Sequence, residues 1–380
     1  MASVLPQFGT VLSYIALALG IFFFIFACKY YVSILIVLFG GMPAGDGNKQ
    51  NADRNGNQEL ANAASLNEVP SENAEEPFIS VQLPFYNEKK VARRILEACS
   101  NLDYSNYEVV VVDDSRDETV KILREMNKRG RHPSLKFVHR KDREGFKGGA
   151  LAEALKHVDP RTKYVVVFDA DFIPPSDILR KFLWYFNRQN IRNMGNQNHS
   201  RVSKLLSGFK NPHNKKENEE SEKNIESRYE AHQIAAVQGY QLHSLNKSEN
   251  WITRGIRAEF SGSYMVERVA EEFLGVMKMI SGSVFMVRAD VLQKLGWTKS
   301  ITEDWDLTIR LYLAGYKVHY VPLIQAAAEM PTTVLRLVRQ RMRWAEGHTF
   351  AVKKYFWQVL RSSKLTLQEK LEFLYFAPYY

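Results

Sequence analysis

The longest apolar stretch comes first. Residues 11–40 read VLSYIALALGIFFFIFACKYYVSILIVLFG, with Lys29 as the only charge. About 20 apolar residues cross the hydrocarbon of a bilayer, so this run is long enough for a retained transmembrane helix within residues 1–41. A cleaved signal peptide is the rival reading. Such peptides have a basic start and a shorter apolar core, and residues 1–10 carry no Lys or Arg. Residues 42–77 then turn to Asn, Ala, Gly, Glu and Ser without any period, the composition of a flexible linker.

From residue 78 the text alternates. Short apolar runs at 78–84, 108–113, 136–139, 164–169, 235–240, 282–287 and 317–321 read as strands. Stretches with helical spacing fall at 88–99, 119–129, 150–157, 253–279, 305–314 and 332–355. The runs EVVVVD (108–113) and YVVVFD (164–169) are apolar throughout and close on an acid, as strands buried on both faces do. Strands alternating with helices predict an α/β domain over 78–360 with a mostly parallel central sheet and right-handed crossovers. Ligands bind such sheets at the carboxyl ends of the strands, where these acids stand.

Two segments break the alternation. Residues 187–230 are dominated by Lys, Asn, Glu and Ser, which predicts a mobile surface insertion, either regulatory or merely solvated. Residues 361–380 end on FLYFAPYY, which reads as an interfacial stretch approaching a second membrane segment.

Charge narrows the partners. The net charge of +9 suits an anionic lipid surface or a phosphate-bearing substrate. It would suit nucleic acid equally, but there is no zinc-finger spacing, aromatic RNP-like run or basic heptad region, so no nucleic-acid partner is expected. Two cysteines, Cys28 and Cys99, build neither a disulfide framework nor a thiolate metal site, and a reducing, cytosolic setting for the main domain fits. His232, His243 and His348 lack metal-ligand spacing and read as surface or core histidines.

Five short motifs carry candidate chemistry. Asp169-Ala170-Asp171 closes a strand, so one carboxylate can take a hard divalent cation, Mg²⁺ or Mn²⁺, and the other a sugar or ribose hydroxyl. A solvated turn is the plain alternative. Asp113 and Asp114 end an equivalent strand and can accept from a nucleobase imide or a ribose hydroxyl, or serve as an Asx-turn or capping pair, a task Ser115 and Asp117 could also fill. Gly145-Phe146-Lys147-Gly148-Gly149-Ala150 is either a turn whose backbone approaches a phosphate, with Lys147 adding charge, or a simple strand-to-helix turn. Thr302-Glu303-Asp304 opens a helix; an acid there usually has a lowered pKa and can accept a proton from a hydroxyl, although Thr302 as N-cap with acids in the first turn fits as well. Gln340-Arg341-Met342-Arg343-Trp344 sits in a basic helix with Arg336 and Arg339. Arg341 and Arg343 cannot both face one way, so one can meet a diphosphate and the other the protein, while Trp344 offers a plate for a sugar ring. A membrane-surface basic helix is the compatible alternative.

As a set, in this order, these motifs together with Leu83-Pro84-Phe85-Tyr86-Asn87-Glu88 resemble the processive family 2 glycosyltransferases of the cellulose-synthase-like group, in particular the plant mannan and glucomannan synthase-like members. The likeness covers residues 78 to about 355. It implies a GT-A (nucleotide-diphospho-sugar transferase) fold with a cytosolic active site, in a protein of a plasma or Golgi-type membrane. By position, the resemblance implies that Asp113, Asp114, Lys147 and Asp169 contact a UDP- or GDP-sugar donor, and that Asp171 with Asp169 holds the metal. Asp304 would be the catalytic base, with Glu303 and Trp344 toward a glycan or lipid acceptor and Gln340, Arg341 and Arg343 toward the diphosphate. The implied reaction is an inverting transfer of a hexose, from a UDP-glucose or GDP-mannose type of donor, to a growing β-linked polysaccharide. A glycolipid product, or a catalytically silent membrane scaffold that binds nucleotide-sugars, are the alternatives. Relatives have a shorter connection at 187–230 and several membrane helices after the Gln-Arg-x-Arg-Trp segment.

Overall fold

A computed structural model of the chain describes residues 4–40, 76–128, 134–186 and 234–377. The expected linker, the insertion at 187–230, His232 and the last three residues lie outside the described residues. Two compact units are present: one combines the first helix with Ser261–Leu274, and the other holds the remaining described chain.

In the first unit, α1 (Val4–Gly40) is a single helix of 37 residues. Its described side chains include many exposed large apolar groups, among them Leu17, Phe23, Phe24 and Leu38. Lys29 reaches Glu271 at 3.5 Å. Among the described residues, no helix is long and apolar enough to cross a membrane. Several side chains of α1, including those of Phe22, Ile25 and Phe26, are not among the described ones.

In the second unit, eight strands form one sheet. They are β1 (Phe78–Phe85), β2 (Tyr107–Asp113), β3 (Ser134–His139), β4 (Thr162–Val167), β5 (Phe172–Ile173), β6 (Ile234–His243), β7 (Phe285–Arg288) and β8 (Lys317–Ala328). The order is β3-β2-β1-β4-β7-β6-β8-β5. β1, β2, β3 and β4 pair in parallel, as do β6 and β8, while β7 and β5 run against their neighbours. Its helices include α2 (Ala92–Ser100), α3 (Thr119–Lys128), α4 (Phe146–Lys156), α5 (Trp251–Gly262), which runs up to the first unit, α7 (Ala289–Leu295), α8 (Glu303–Ala314), α9 (Val334–Arg361) and α10 (Leu367–Phe376), while α6 (Arg268–Leu274) belongs to the first unit.

The alternation of side chains along each strand divides the core into two layers. Val81, Val109, Val166 and Met286 face Ile95 and Leu96 of α2 and Phe182 and Phe186 of a helix at 178–186. Val165, Val167, Phe285 and Val287 face the opposite way, onto Leu292 of α7, Trp305 and Ile309 of α8, and Tyr355 and Val359 of α9. A sheet covered on both faces explains why the strands read as continuous apolar runs.

Several expected boundaries shift, each for a local reason. The strand expected at 164–169 ends at Val167, so Asp169 and Asp171 stand in the turn between β4 and β5 and not on a strand end. The helix expected from 150 starts at Phe146, with Gly145 as its N-cap at φ 72°; Gly148 and Gly149 therefore lie in its first turns. A Cβ on Gly148 would lie 2.2 Å from the Thr298 carbonyl oxygen, so close packing accounts for that glycine without any phosphate. The helical stretch expected at 253–279 breaks into α5, a π-turn at Ser263–Glu267 and α6, and ends at Leu274. The strand expected from 282 begins only at Phe285, because Gly282 (φ 73°) and Val284 (φ 57°) adopt left-handed backbone.

Candidate active site

β2 and β3 lie in register so that Asp113 stands beside His139. The His139 Nδ1 is 2.8 Å from Asp113 Oδ2, and the Ser115 backbone N–H donates to Asp113 Oδ1 at 3.0 Å. Next in the chain, the Arg140 guanidinium forks onto Asp114, Nε to Oδ1 at 2.6 Å and Nη2 to Oδ2 at 2.5 Å. Arg140 also donates to the carbonyls of Glu144 and Phe146, which ties Asp114 to the start of α4. Asp113 and Asp114 thus stand at the carboxyl end of the sheet as expected, with their oxygens already engaged by protein donors. His139 and Arg140 are partners that sequence reasoning missed; their only signal is that they close the strand beside β2. The capping role falls to Asp117, whose Oδ1 accepts from Thr119 N–H at 3.0 Å.

Past β4 the chain brings four predicted residues together. The Lys147 Nζ, from the first turn of α4, lies 2.7 Å from Asp169 Oδ1 and 3.0 Å from Glu303 Oε1, and donates to the Gly282 carbonyl at 2.6 Å. Asp169 is fixed by its own backbone N–H donating to Ser283 Oγ at 3.0 Å. Asp304 completes the group: a Cβ on Gly282 would lie 3.1 Å from Asp304 Oδ2 and 3.2 Å from Lys147 Nζ. Both the positive φ and this close approach require glycine at 282.

The electrostatics follow from this crowding. Asp304 keeps an open edge but is otherwise enclosed by protein. Burial, and then the Glu303 charge, raise its carboxyl to about 7 although Lys147 and the Trp305 N–H oppose the shift. The lowered pKa expected from the α8 N-terminus is therefore corrected: enclosure beside a second acid outweighs the helix dipole and the backbone hydrogen bonds, among them Trp305 N–H to Asp304 Oδ1 at 2.8 Å. Thr302 does occupy the N-cap position, but its side chain makes no cap bond. Burial works against the Lys147 charge, yet Asp169 and Glu303 outweigh it and hold its pKa above the usual lysine range.

A second acidic group lies around Asp169. Asp171 is raised to about 7 by burial first, then by Asp169, Glu88 and Glu329. Glu88 is raised to about 7 by burial, Asp169, Glu329 and Asp117, with Arg336 opposing. Glu329 is held by Arg94 at 2.7 Å. Glu88 belongs to the recognised Asn87-Glu88 motif, but nothing in the sequence placed it beside Asp169.

Among the described residues, no three His, Cys, Asp or Glu side chains converge into a ready cation cage. Asp169 and Asp171 nevertheless supply hard carboxylate oxygens of the kind Mg²⁺ or Mn²⁺ takes alongside water and phosphate oxygens. Burial raises Asp171 most, and the neighbouring Asp169 and Glu88 charges add to it; a divalent cation would offset that clustered negative charge, so these residues fit one.

On α9, Arg341 turns inward. Its Nη2 is 2.7 Å from Glu259 Oε2, and its guanidinium lies 4.7 Å from the Trp344 ring centroid. It also stands 5.9 Å from the Phe260 ring, which packs on His243, itself facing Phe172 one residue after Asp171. Arg343 points to solvent, as the helical spacing requires, and Gln340 is half-buried. His243 and His348 are core histidines, each pushed down to about 4, chiefly by burial.

Comparisons with known proteins give the family and the fold. A probable glucomannan 4-beta-mannosyltransferase of Oryza sativa subsp. japonica is 28% identical over 310 residues, 80% of this chain and 46% of that protein. Glucomannan 4-beta-mannosyltransferase 9 of Arabidopsis thaliana is 27% identical over 392 residues, 99% of this chain and 63% of its own length. The chain thus spans roughly half to two thirds of these curated relatives. In fold it is similar to a mannosyltransferase from Pyrobaculum calidifontis solved with GDP-Man and Mn²⁺, with a TM-score of 0.53 at 20% identity, covering 92% of this chain and 81% of that one. The model of the glycosyltransferase like family 2 matches residues 77–347, from the start of β1 through the signature segment of α9, and this chain belongs to that family.

Proposed function

We propose that the chain carries the catalytic unit of a membrane-bound, inverting, divalent-cation-dependent hexosyltransferase that extends a β-linked polysaccharide. The observation that carries this reading is Asp304. It is a part-open carboxylate raised to about 7, next to Glu303, Lys147 and Asp169 at the carboxyl end of a mostly parallel sheet. A general base is most useful when its pKa lies near the working pH.

In this reading the donor's base and ribose lie toward Asp113 and Asp114. Lys147, Gln340 and Arg341 address the diphosphate, and Trp344 and Glu303 the acceptor; Arg343, which points to solvent, is left out of that contact. The acceptor hydroxyl oxygen attacks the anomeric carbon in line as the bond to the diphosphate oxygen breaks. The electron pair leaves with the diphosphate, and the hydroxyl proton passes to Asp304. A divalent cation held by Asp169 and Asp171 would offset the charge gathering on the departing diphosphate. The relatives' names, which are those of mannosyltransferases, favour a mannosyl donor over a glucosyl one.

α1 is the membrane anchor in this proposal. The support is the apolar run at residues 11–40, longer than the roughly 20 residues that cross a bilayer. Its exposed Leu, Ile and Phe side chains favour lipid. The catalytic unit then faces the cytosol of a plasma or Golgi-type membrane.

The test is transfer by membranes carrying the protein, given a panel of radiolabelled nucleotide-sugars with Mn²⁺, Mg²⁺ or EDTA. Label from one donor in ethanol-insoluble material, abolished by EDTA, is expected. Label only in the lipid extract would replace the polymer with a glycolipid, and no transfer from any donor would leave the silent scaffold.

A further inference from the structure

Asp306 stands two residues beyond Asp304 on the first turn of α8, about 200° further round the helix. It is buried, 1% exposed, and takes no part in the cleft. Its carboxylate gathers donors from three segments. Thr298 Oγ1 donates to Oδ2 at 2.8 Å from the loop before α8, and Arg310 Nε to Oδ2 at 2.6 Å from α8 itself. From α9, Tyr355 OH donates to Oδ1 at 2.9 Å and Lys354 Nζ approaches the same oxygen at 3.4 Å.

Two other contacts join the same pair of helices. A Cβ on Gly347 would lie 2.5 Å from Thr302 Cγ2, so α9 meets the N-cap of α8 with no room to spare. The His348 ring stacks on Trp305 with centroids 5.4 Å apart and planes 10° apart. The contacts form one buried stripe on α9, Gly347, Ala351, Tyr355 and Val359, each four residues on and therefore on one face. The segment Gln340–Trp344 continues the same helix toward its N-terminus. Whatever sets the register of this stripe against α8 also sets how far Arg341 and Trp344 stand from Asp304.

Apolar side chains would join two helices at least as well as a buried carboxylate does. What a carboxylate with directional donors adds is a defined register, because its hydrogen bonds fail when the helices slide. We infer that Asp306 is a positioning residue. Through Tyr355, and with the Thr302–Gly347 contact, it holds the base Asp304 and the α9 signature at the separation the acceptor needs. This rests on the reading of Asp304 as the base.

The experiment uses the protein in membranes, with kcat and separate KM values for donor and acceptor. Tyr355→Phe is expected to lower kcat about tenfold and raise the acceptor KM, since displacements near 1 Å can reduce rate by up to a hundredfold. The donor KM should stay at its wild-type value, while the thermal midpoint falls, because a hydrogen bond to a buried carboxylate is lost. Gly347→Ala should have the same signature and recover in the Gly347→Ala/Thr302→Ala double variant. Asp306→Asn is the stronger lesion, and Tyr355→Phe decides the matter if that variant does not fold. An unchanged kcat in Tyr355→Phe overturns the positioning role while leaving the function standing. So does a loss in which kcat and both KM values move together, the mark of a purely structural contact. A wild-type protein that transfers sugar from no donor overturns the function itself, and the positioning role with it.

Discussion

Lys147 holds Glu303 at 3.0 Å, Nζ to Oε1, across the cleft between the start of α4 and the start of α8. The same ammonium lies 2.7 Å from Asp169, so a single cation links Asp169 to Glu303, the acid next to Asp304. Removing it leaves Asp169, Glu303 and Asp304 with no cation among them. Lys147→Met is therefore expected to raise the Asp304 pKa further, because the Lys147 charge is one of the groups that lower it. The acidic limb of kcat against pH should move to higher pH, with kcat down about a hundredfold even at the optimum. A limb that stays in place would show that Lys147 does not act on the base.

Asp304 must be ionised to take a proton. With its carboxyl raised to about 7, the wild-type rate should climb as pH rises through 7 and fall away below it. Asp304→Asn should lower turnover about 10²–10⁴-fold, the usual worth of a general base. Nucleotide-diphosphate affinity, measured by titration calorimetry, should be unchanged. Persistent turnover in that variant would assign the base elsewhere.

Asp171 makes a prediction about stability. Its folded pKa of about 7 lies above its ordinary 3.8, so between those pH values the folded protein keeps a proton that the unfolded chain has lost. Folding is thus disfavoured increasingly as pH rises through that window. Asp171→Asn removes the penalty. In cation-free buffer its thermal midpoint should exceed wild type at pH 8 by an amount on the order of 1 kcal/mol in stability, allowing for solvent screening, with a smaller gain at pH 5. Added Mn²⁺ should raise the wild-type midpoint and not that of the variant.

Arg140 and Asp114 form a nearly buried fork, their side chains 13% and 3% exposed. Removing one partner strands the other's charge, at a cost of about 3–5 kcal/mol. Arg140→Met and Asp114→Leu should each lower stability by that order, and the double variant by less than either alone. Arg140→Lys should also destabilise, since an ammonium cannot reproduce the two parallel hydrogen bonds. Urea melts of the four variants complete the test, and additive losses would mean the fork is not an energetic unit.

The alternation of apolar runs and helical stretches was enough to predict an α/β domain with a mostly parallel sheet. That worked because a strand buried on both faces has to be apolar throughout, as 109–112 and 165–168 are. The acids at strand ends were legible for the same reason: polarity returns where the strand emerges. The antiparallel β7 was not, because direction leaves no mark on side-chain pattern. Nor were α7 and β5, with 7 and 2 residues too short to show a period.

Within the site, the residue types and their order along the chain were set by local sequence: two acids where β2 ends, two after β4, acids at the start of α8, and the Arg-rich start of α9. Which atoms meet was decided only by the tertiary structure. Lys147 reads as a phosphate-binding lysine in a glycine-rich turn, yet it lies between Asp169 and Glu303. Asp304 reads as an acid depressed by a helix N-terminus, yet it is raised because the fold packs Glu303 and protein walls around it. Asp306 lies in the first turn of α8 as Glu303 and Asp304 do, yet it is bound to Tyr355 of another helix. Pattern along a chain reports which residues are buried and at what period. Charge and hydrogen bonding depend on distances in space, which appear only when β4, α4, α8 and α9 come together.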